Sequence, residues 1–248
     1  GIIDFKHTEM RAIHAEWSTN EKCAFEVAFG AASIGKKAAC FMKQVGLNVA
    51  FASLMKALEK PIDGGLVIVS CDDPGPQSSQ TEQDTRLLAS LYGVTVFDPA
   101  SPREAADVAY YALNYSFEHK KPVIIRSTHR VSHAREPIPL YPLGTRKVIL
   151  NEGIQSFAPA PSSSVSTIYD LPSMSHGILG IVASGMSYSL VYDVVRDLGI
   201  EGHVPIYKVL VVYPADKRLF EFAGAAKKVL VLEETDQVIE AMLGKRSK

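Results

Sequence analysis

Apolar positions along this chain follow two alternating patterns. Short continuous apolar runs, at 39–42, 66–70 (LVIVS), 94–97 and 123–127 (VIIRS), the last three rich in β-branched residues, have the length and character of buried strands. Between them the spacing predicts helices over 21–35, 49–58, 81–92 and 102–119. The last carries its own start signal: Ser101 as N-cap, Pro102 at the first helical position, and Glu104 to close a capping box. Continuous apolar strands separated by helices imply a parallel sheet covered on both faces.

Residues 136–176 break this rhythm. Pro137, Pro139, Pro142, Pro159, Pro161 and Pro172, with serines at 162–164, leave no periodicity, and the stretch reads as a linker. Beyond it, strands at 177–183 (GILGIVA), 206–210 and 228–232 (KVLVL) alternate with helices at 187–198, 217–225 and 237–243. The expected fold class is α/β, with two doubly wound domains of mostly parallel sheets. Residues 1–135 form the first, 136–176 the linker, and 177–248 the second, which is small for independent stability.

Composition narrows the function classes. Of 248 residues 47% are hydrophobic and 21% charged, and the mean hydropathy is +0.07, an ordinary globular balance. Twenty-six Lys and Arg stand against 27 Asp and Glu, which argues against a broad cationic face for nucleic acid. No apolar stretch approaches the roughly 18–20 residues of a membrane span, and the first ten residues lack the apolar core of a signal peptide. The expectation is a cytoplasmic protein with no membrane or nucleic-acid partner. Cys23, Cys40 and Cys71 are widely spaced without a C-x-x-C pair and read as small buried hydrophobes, so no metal site is expected.

Four polar segments carry candidate chemistry. Glu21 opens a helix after Ser18, where Ser18-x-x-Glu21 fits a capping box; alternatively its carboxyl group serves a ligand nitrogen. Residues 42–48 (MKQVGLN) follow the first strand, where ligands gather in parallel sheets, although a tight turn with Asn48 as N-cap fits equally. Residues 72–84 follow the second strand. Asp72 and Asp73 there could hold Mg²⁺, but capping and turning is the commoner use, and Thr81-x-x-Asp84 resembles a capping pair. Residues 126–135 carry Arg126, Arg130 and Arg135 with His129 and His133, an anion-binding set or a solvated exit loop. Sharing a metal would require both histidines on one helix, which the β-branched surroundings disfavour. A Walker P-loop, a G-x-G-x-x-G after a strand and a G-x-S-x-G are all missing from the sequence.

The order of these segments is more specific than any one of them. NEKCAFEVAFGAASIG, FMKQVGLNVA, GGLVIVSCDDPGPQSSQTEQDTR and KPVIIRSTHRVSHAR, taken in sequence, resemble the pyrimidine-binding domain of the indolepyruvate:ferredoxin oxidoreductase alpha subunit family. The segment from HGILGIVASGMSYSLVYDVV through KKVLVLEE resembles that subunit's next domain, of the transketolase carboxyl-terminal type. The resemblance implies thiamine pyrophosphate-dependent oxidative decarboxylation of a 2-oxo acid, an aryl pyruvate such as indolepyruvate, with electrons passing to ferredoxin and the acyl group to coenzyme A. It implies Glu21 as the catalytic carboxyl group on the aminopyrimidine ring and Lys43, Gln44, Gly46 and Asn48 as cofactor-binding residues. Ser79, Gln80 and Gln83 match a polar loop at the entrance, and Arg130 a contact for the substrate.

The departures shape the partner expectations. A Gly-Tyr-Pro-Gly-Thr-Pro type loop, the Gly-Asp-Gly…Asn that holds Mg²⁺, and the ferredoxin-like cysteines are all missing from this sequence. The chain is therefore expected to be a fragment or one product of a split enzyme. A pyrophosphate-binding and iron–sulfur subunit, a gamma-type subunit and ferredoxin would complete it within an oligomer, supplying Mg²⁺ and [4Fe-4S] that this chain does not bind. The alternatives are the beta half of a 2-oxoacid dehydrogenase or related thiamine enzyme, and a non-catalytic scaffold subunit.

Overall fold

A computed structural model of the chain describes residues 13–138, 167–169 and 179–244. Its first sheet has five strands in the order β1-β2-β4-β3-β8. β1 (Lys37–Lys43), β2 (Gly65–Cys71), β3 (Thr95–Phe97) and β4 (Val123–Arg126) run parallel, and β8 (Val211–Tyr213) is antiparallel to β3. On one face lie α1 (Glu21–Ser33) and α2 (Gln44–Glu59). α1 turns Phe25, Ala28 and Ala32 inward at helical spacing, against Leu47, Ala50 and Leu54 of α2. α4 (Pro102–His119) covers the other face, where Val108 and Ala112 meet Val67, Val123 and Ile125. Burying each of the larger of these side chains, the Val, Leu, Ile and Phe, contributes roughly 1.5–3 kcal/mol. α3 (Arg86–Tyr92) and the short α5 (His129–His133) complete this half.

The second sheet has the order β5-β7-β6-β9. Its strands are β5 (Thr167–Tyr169), β6 (Leu179–Ser184), β7 (Ile206–Val209) and β9 (Lys228–Leu232), with β5 antiparallel to β7 and the others parallel. α6 (Gly185–Asp197), α7 (Lys217–Ala225) and α8 (Val238–Leu243) accompany it. The fold class is α/β with mostly parallel sheets, as the patterning implies.

The two sheets are not independent. Leu210 alone separates β7 in the second sheet from β8 in the first, and its carbonyl accepts from Asp98 N–H at 2.8 Å. One apolar cluster holds Leu66, Ile68 and Val96 together with Val182, Tyr207, Val212 and Phe222. The predicted strand 206–210 thus stops one residue earlier, and β8 was not foreseen. β5 lies inside the stretch read as linker. The rest of that stretch described here is 136–138, so Pro139, Pro142, Pro159, Pro161, Pro172 and serines 162–164 fall outside the described residues, as do 1–12 and 177–178.

Several boundaries differ for local reasons. α4 begins and ends where its signals place it: Ser101 Oγ accepts from Glu104 N–H at 3.2 Å, although Glu104 reaches back to Ala100 N–H instead of Ser101. The Ser18/Glu21 capping box is not formed, because Asn20 Oδ1 accepts from Cys23 N–H at 2.9 Å and takes the cap. α2 starts at Gln44 instead of 49, so Asn48 is inside the helix and not its cap. α3 starts at Arg86, and Thr81 caps nothing. Cys40 is buried as expected and its thiol is pushed up to about 12 by desolvation, whereas Cys23 and Cys71 are half-buried.

Candidate active site

β1 and β2 end level with each other, Lys43 opposite Cys71, so the segments that follow them face one another across the carboxyl edge of the sheet. Glu21, the first residue of α1, reaches this edge from the side. With Asn20 doing the capping, its carboxylate has no hydrogen-bond partner among the described residues. The side chain lies across the first turn of α2. A Cβ on Gly46 would come within 2.4 Å of Glu21 Cγ and 2.8 Å of Oε1, a close approach that only glycine permits.

The residues expected at this edge are brought together. Lys43 Nζ donates to the Ser78 and Ser79 hydroxyls, both at 2.8 Å. Gln44 Nε2 donates to the Thr81 carbonyl at 3.1 Å, and Asn48 Nδ2 to Gln83 Oε1 at 2.8 Å. Gln44 is only 2% exposed, yet its Oε1 lacks a donor among the described residues. Gln80 is exposed between these anchored neighbours. The loop itself is wound around Asp73, whose Oδ2 accepts from the N–H groups of Gln77, Ser78 and Ser79 at 2.9–3.1 Å. Those donors, Ser78 first, hold the Asp73 carboxyl well below the usual carboxylate range.

The basic segment after β4 is used differently. Arg126 is buried: its Nε donates to Asp72 at 2.8 Å and its NH1 meets Asp98 at 3.2 Å. Arg130 is half-exposed, with Nε 3.4 Å from Glu234, and makes no contact with the Lys43–Ser79 group among the described residues. His129 and His133 do fall on one short helix, α5, contrary to expectation. His129 Nδ1 nevertheless lies 3.4 Å from Asp73 Oδ1, and no cluster of His, Cys, Asp or Glu among the described residues is arranged to hold a metal. Asp72 and Asp73 serve as structural acceptors.

Sequence reasoning missed a buried ionic knot behind this edge. Arg86 pairs with Asp84 at 2.6 Å and Glu233 at 3.0 Å, and donates to Ser184 and to the carbonyls of Glu234 and Asp236. Burial opposes ionisation of Asp84, but the Arg86 hydrogen bonds and the Arg126 charge outweigh it and hold the carboxyl low. At Asp72 burial wins and raises it despite Arg126 and Thr85. The partners lie as far as 150 positions apart, so no local spacing marks them.

The family model for pyruvate flavodoxin/ferredoxin oxidoreductase, thiamine-diphosphate-binding, matches residues 4–176. The chain belongs to that family. The indolepyruvate oxidoreductase subunit IorA of Methanothermobacter marburgensis is 35% identical over 266 residues, covering 97% of this chain and 42% of that protein. IorA of Thermococcus kodakarensis is 35% identical over 255 residues, covering 92% and 39%. This family member therefore spans about two fifths of the length of those relatives. In fold it is similar to the 2-oxoglutarate:ferredoxin oxidoreductase of Magnetococcus marinus, at TM-score 0.66 and 14% identity, covering 91% of this chain and 51% of that one. It is also similar to a split-gene transketolase, an inactive beta4 tetramer, at TM-score 0.62 and 19% identity, covering 92% and 69%.

Proposed function

We propose that the chain supplies the aminopyrimidine side of the thiamine-diphosphate site in an aryl-pyruvate:ferredoxin oxidoreductase. The 1–135 unit carries the site and 177–248 is the transketolase carboxyl-terminal-like unit. A pyrophosphate- and Mg²⁺-binding, iron–sulfur partner and a gamma-type subunit complete the enzyme in the cytoplasm, with ferredoxin and coenzyme A as acceptors. The carrying observation is Glu21, a carboxylate without a partner among the described residues, laid against a turn kept open by Gly46 at the carboxyl edge of a parallel sheet. Among the described residues no helix is long and apolar enough to cross a membrane.

The residues present fit the cofactor. Glu21 would hold and exchange a proton with a pyrimidine ring nitrogen, Gln44 would offer its donor-less Oε1 to the exocyclic amine, and Gly46 leaves the space that the Glu21 side chain occupies. When bound, thiamine diphosphate supplies the nucleophilic carbon and the electron sink for decarboxylation of a 2-oxo acid. Lys43, Asn48, Ser79 and Gln83 fix the neighbouring wall through their mutual hydrogen bonds, and Gln80 stands exposed at the mouth. Arg130 is the outer cation, shared with Glu234. Glu21→Gln keeps size and shape but cannot exchange the proton. Turnover of an aryl pyruvate in the reconstituted enzyme is expected to fall by about two to four orders of magnitude. Turnover within a few-fold of wild type would remove Glu21 from the mechanism.

A further inference from the structure

Lys43 is a cation that the described residues leave without a counterion. Its ammonium has three donors; two go to neutral hydroxyls, Ser78 and Ser79, and no described carboxylate pairs with it. The surroundings add positive character. Lys43 immediately precedes α2, a helix of 16 residues with no acidic residue in its first turn and no side-chain cap on its N-terminal N–H groups. The hydroxyls are not free to drift, because the N–H groups of Ser78 and Ser79 are both tied to Asp73. The same turn holds the buried Gln44, whose acceptor Oε1 also lacks a donor, and Gly46 under Glu21. The site is thus two-sided: acceptors toward Gln44 and Glu21, and a braced cation toward Lys43.

We infer that Lys43, held by the Ser78 and Ser79 hydroxyls, is the subsite for the carboxylate of the 2-oxo acid. This rests on the functional reading above, but moves Lys43 from the cofactor to the substrate. The hydroxyls orient the ammonium without neutralising it, which leaves its third donor and its full charge for an anion. The wall that carries Glu21 would then also set how the acid group is presented.

The test compares an acid with its uncharged analogue. Binding of phenylpyruvate and of phenylpyruvamide to the full chain is measured by calorimetry, with no turnover required. The wild-type chain is expected to favour the acid by about tenfold to a hundredfold, the scale of a charge-assisted hydrogen bond. Lys43→Gln is expected to abolish that preference while leaving the amide's affinity within about twofold, and Lys43→Arg to keep part of it. A circular dichroism spectrum and melting temperature matching wild type establish that the variants fold; if Lys43→Gln does not fold, the Lys43→Arg comparison stands in its place. Equal binding of acid and amide by wild type, no binding of either, or a preference that survives Lys43→Gln would each overturn the inference. Failure of thiamine-diphosphate-dependent turnover in the reconstituted enzyme would instead overturn the functional reading, so the two are separable.

Discussion

A methyl group at position 46 would meet Glu21 Cγ at 2.4 Å, and what gives way is the half-buried Glu21 side chain from Cγ outward, not the backbone. The folding cost of Gly46→Ala is therefore small. Alanine also favours a helix interior over glycine by about 1 kcal/mol, so the substitution is expected to leave the melting temperature equal or slightly raised. If Glu21 has the role proposed above, the displaced carboxylate should nevertheless lower turnover by tenfold or more, since small misplacements of a reacting group cost heavily. Thermal unfolding and turnover measured on the same preparation check the pair of outcomes; a loss of stability matching the loss of activity would mean that Gly46 serves the fold. Position 46 also marks what the sequence could disclose. As a letter it signalled a turn; its partner 25 residues earlier, Glu21, is what makes glycine necessary inside α2.

Elements whose signals are local were legible, and those set by tertiary contacts were not. α4 could be read because Ser101 and Pro102 stand at its start. α2 could not, because Lys43 makes no capping hydrogen bond and the helix instead begins directly off β1, secured by Leu47, Ala50 and Leu54 against α1. The polar loop after β2 was visible as polarity and proline, but its conformation resides in one carboxylate. Asp73 has a folded-state pKa below that of the unfolded chain, so ordering of residues 77–79 gains full support above about pH 4, where an unfolded aspartate is ionised. That support drains away as the pH falls from there toward the lower folded value. Amide hydrogen-exchange protection at Gln77, Ser78 and Ser79 should accordingly be constant near neutrality and decline in acid. In Asp73→Asn it should be low and nearly independent of pH. Unchanged protection in that variant would show that the loop is held by Lys43, Gln44 and Asn48 without Asp73.

At the scale of the whole molecule, patterning predicts two α/β units, and the structure shows two sheets joined to each other. Nothing in a three-residue run such as 211–213 announces that it leaves the second sheet to pair with the first. Arg86, Asp84 and Glu233 join the halves across 147 positions, where no spacing argument reaches. These links imply that the sheets open as one unit. Arg86 has no exposed surface, and removing it takes the two-pronged partner from the buried Asp84 carboxylate, a loss typically worth about 3–5 kcal/mol. Arg86→Met, which keeps the bulk, is expected to lower the urea midpoint of both sheets together. Cys40, buried in the first sheet, reports its opening by thiol labelling in denaturant. Amide exchange at Val182 and Tyr207, buried in the second, reports the other. Coincident midpoints in wild type and variant follow from a shared core in which Leu66 and Val96 cluster with Val182 and Phe222. A variant in which the second sheet opens first, with Cys40 still protected, would mean that β8 and the ionic knot hold the halves side by side without coupling their folding.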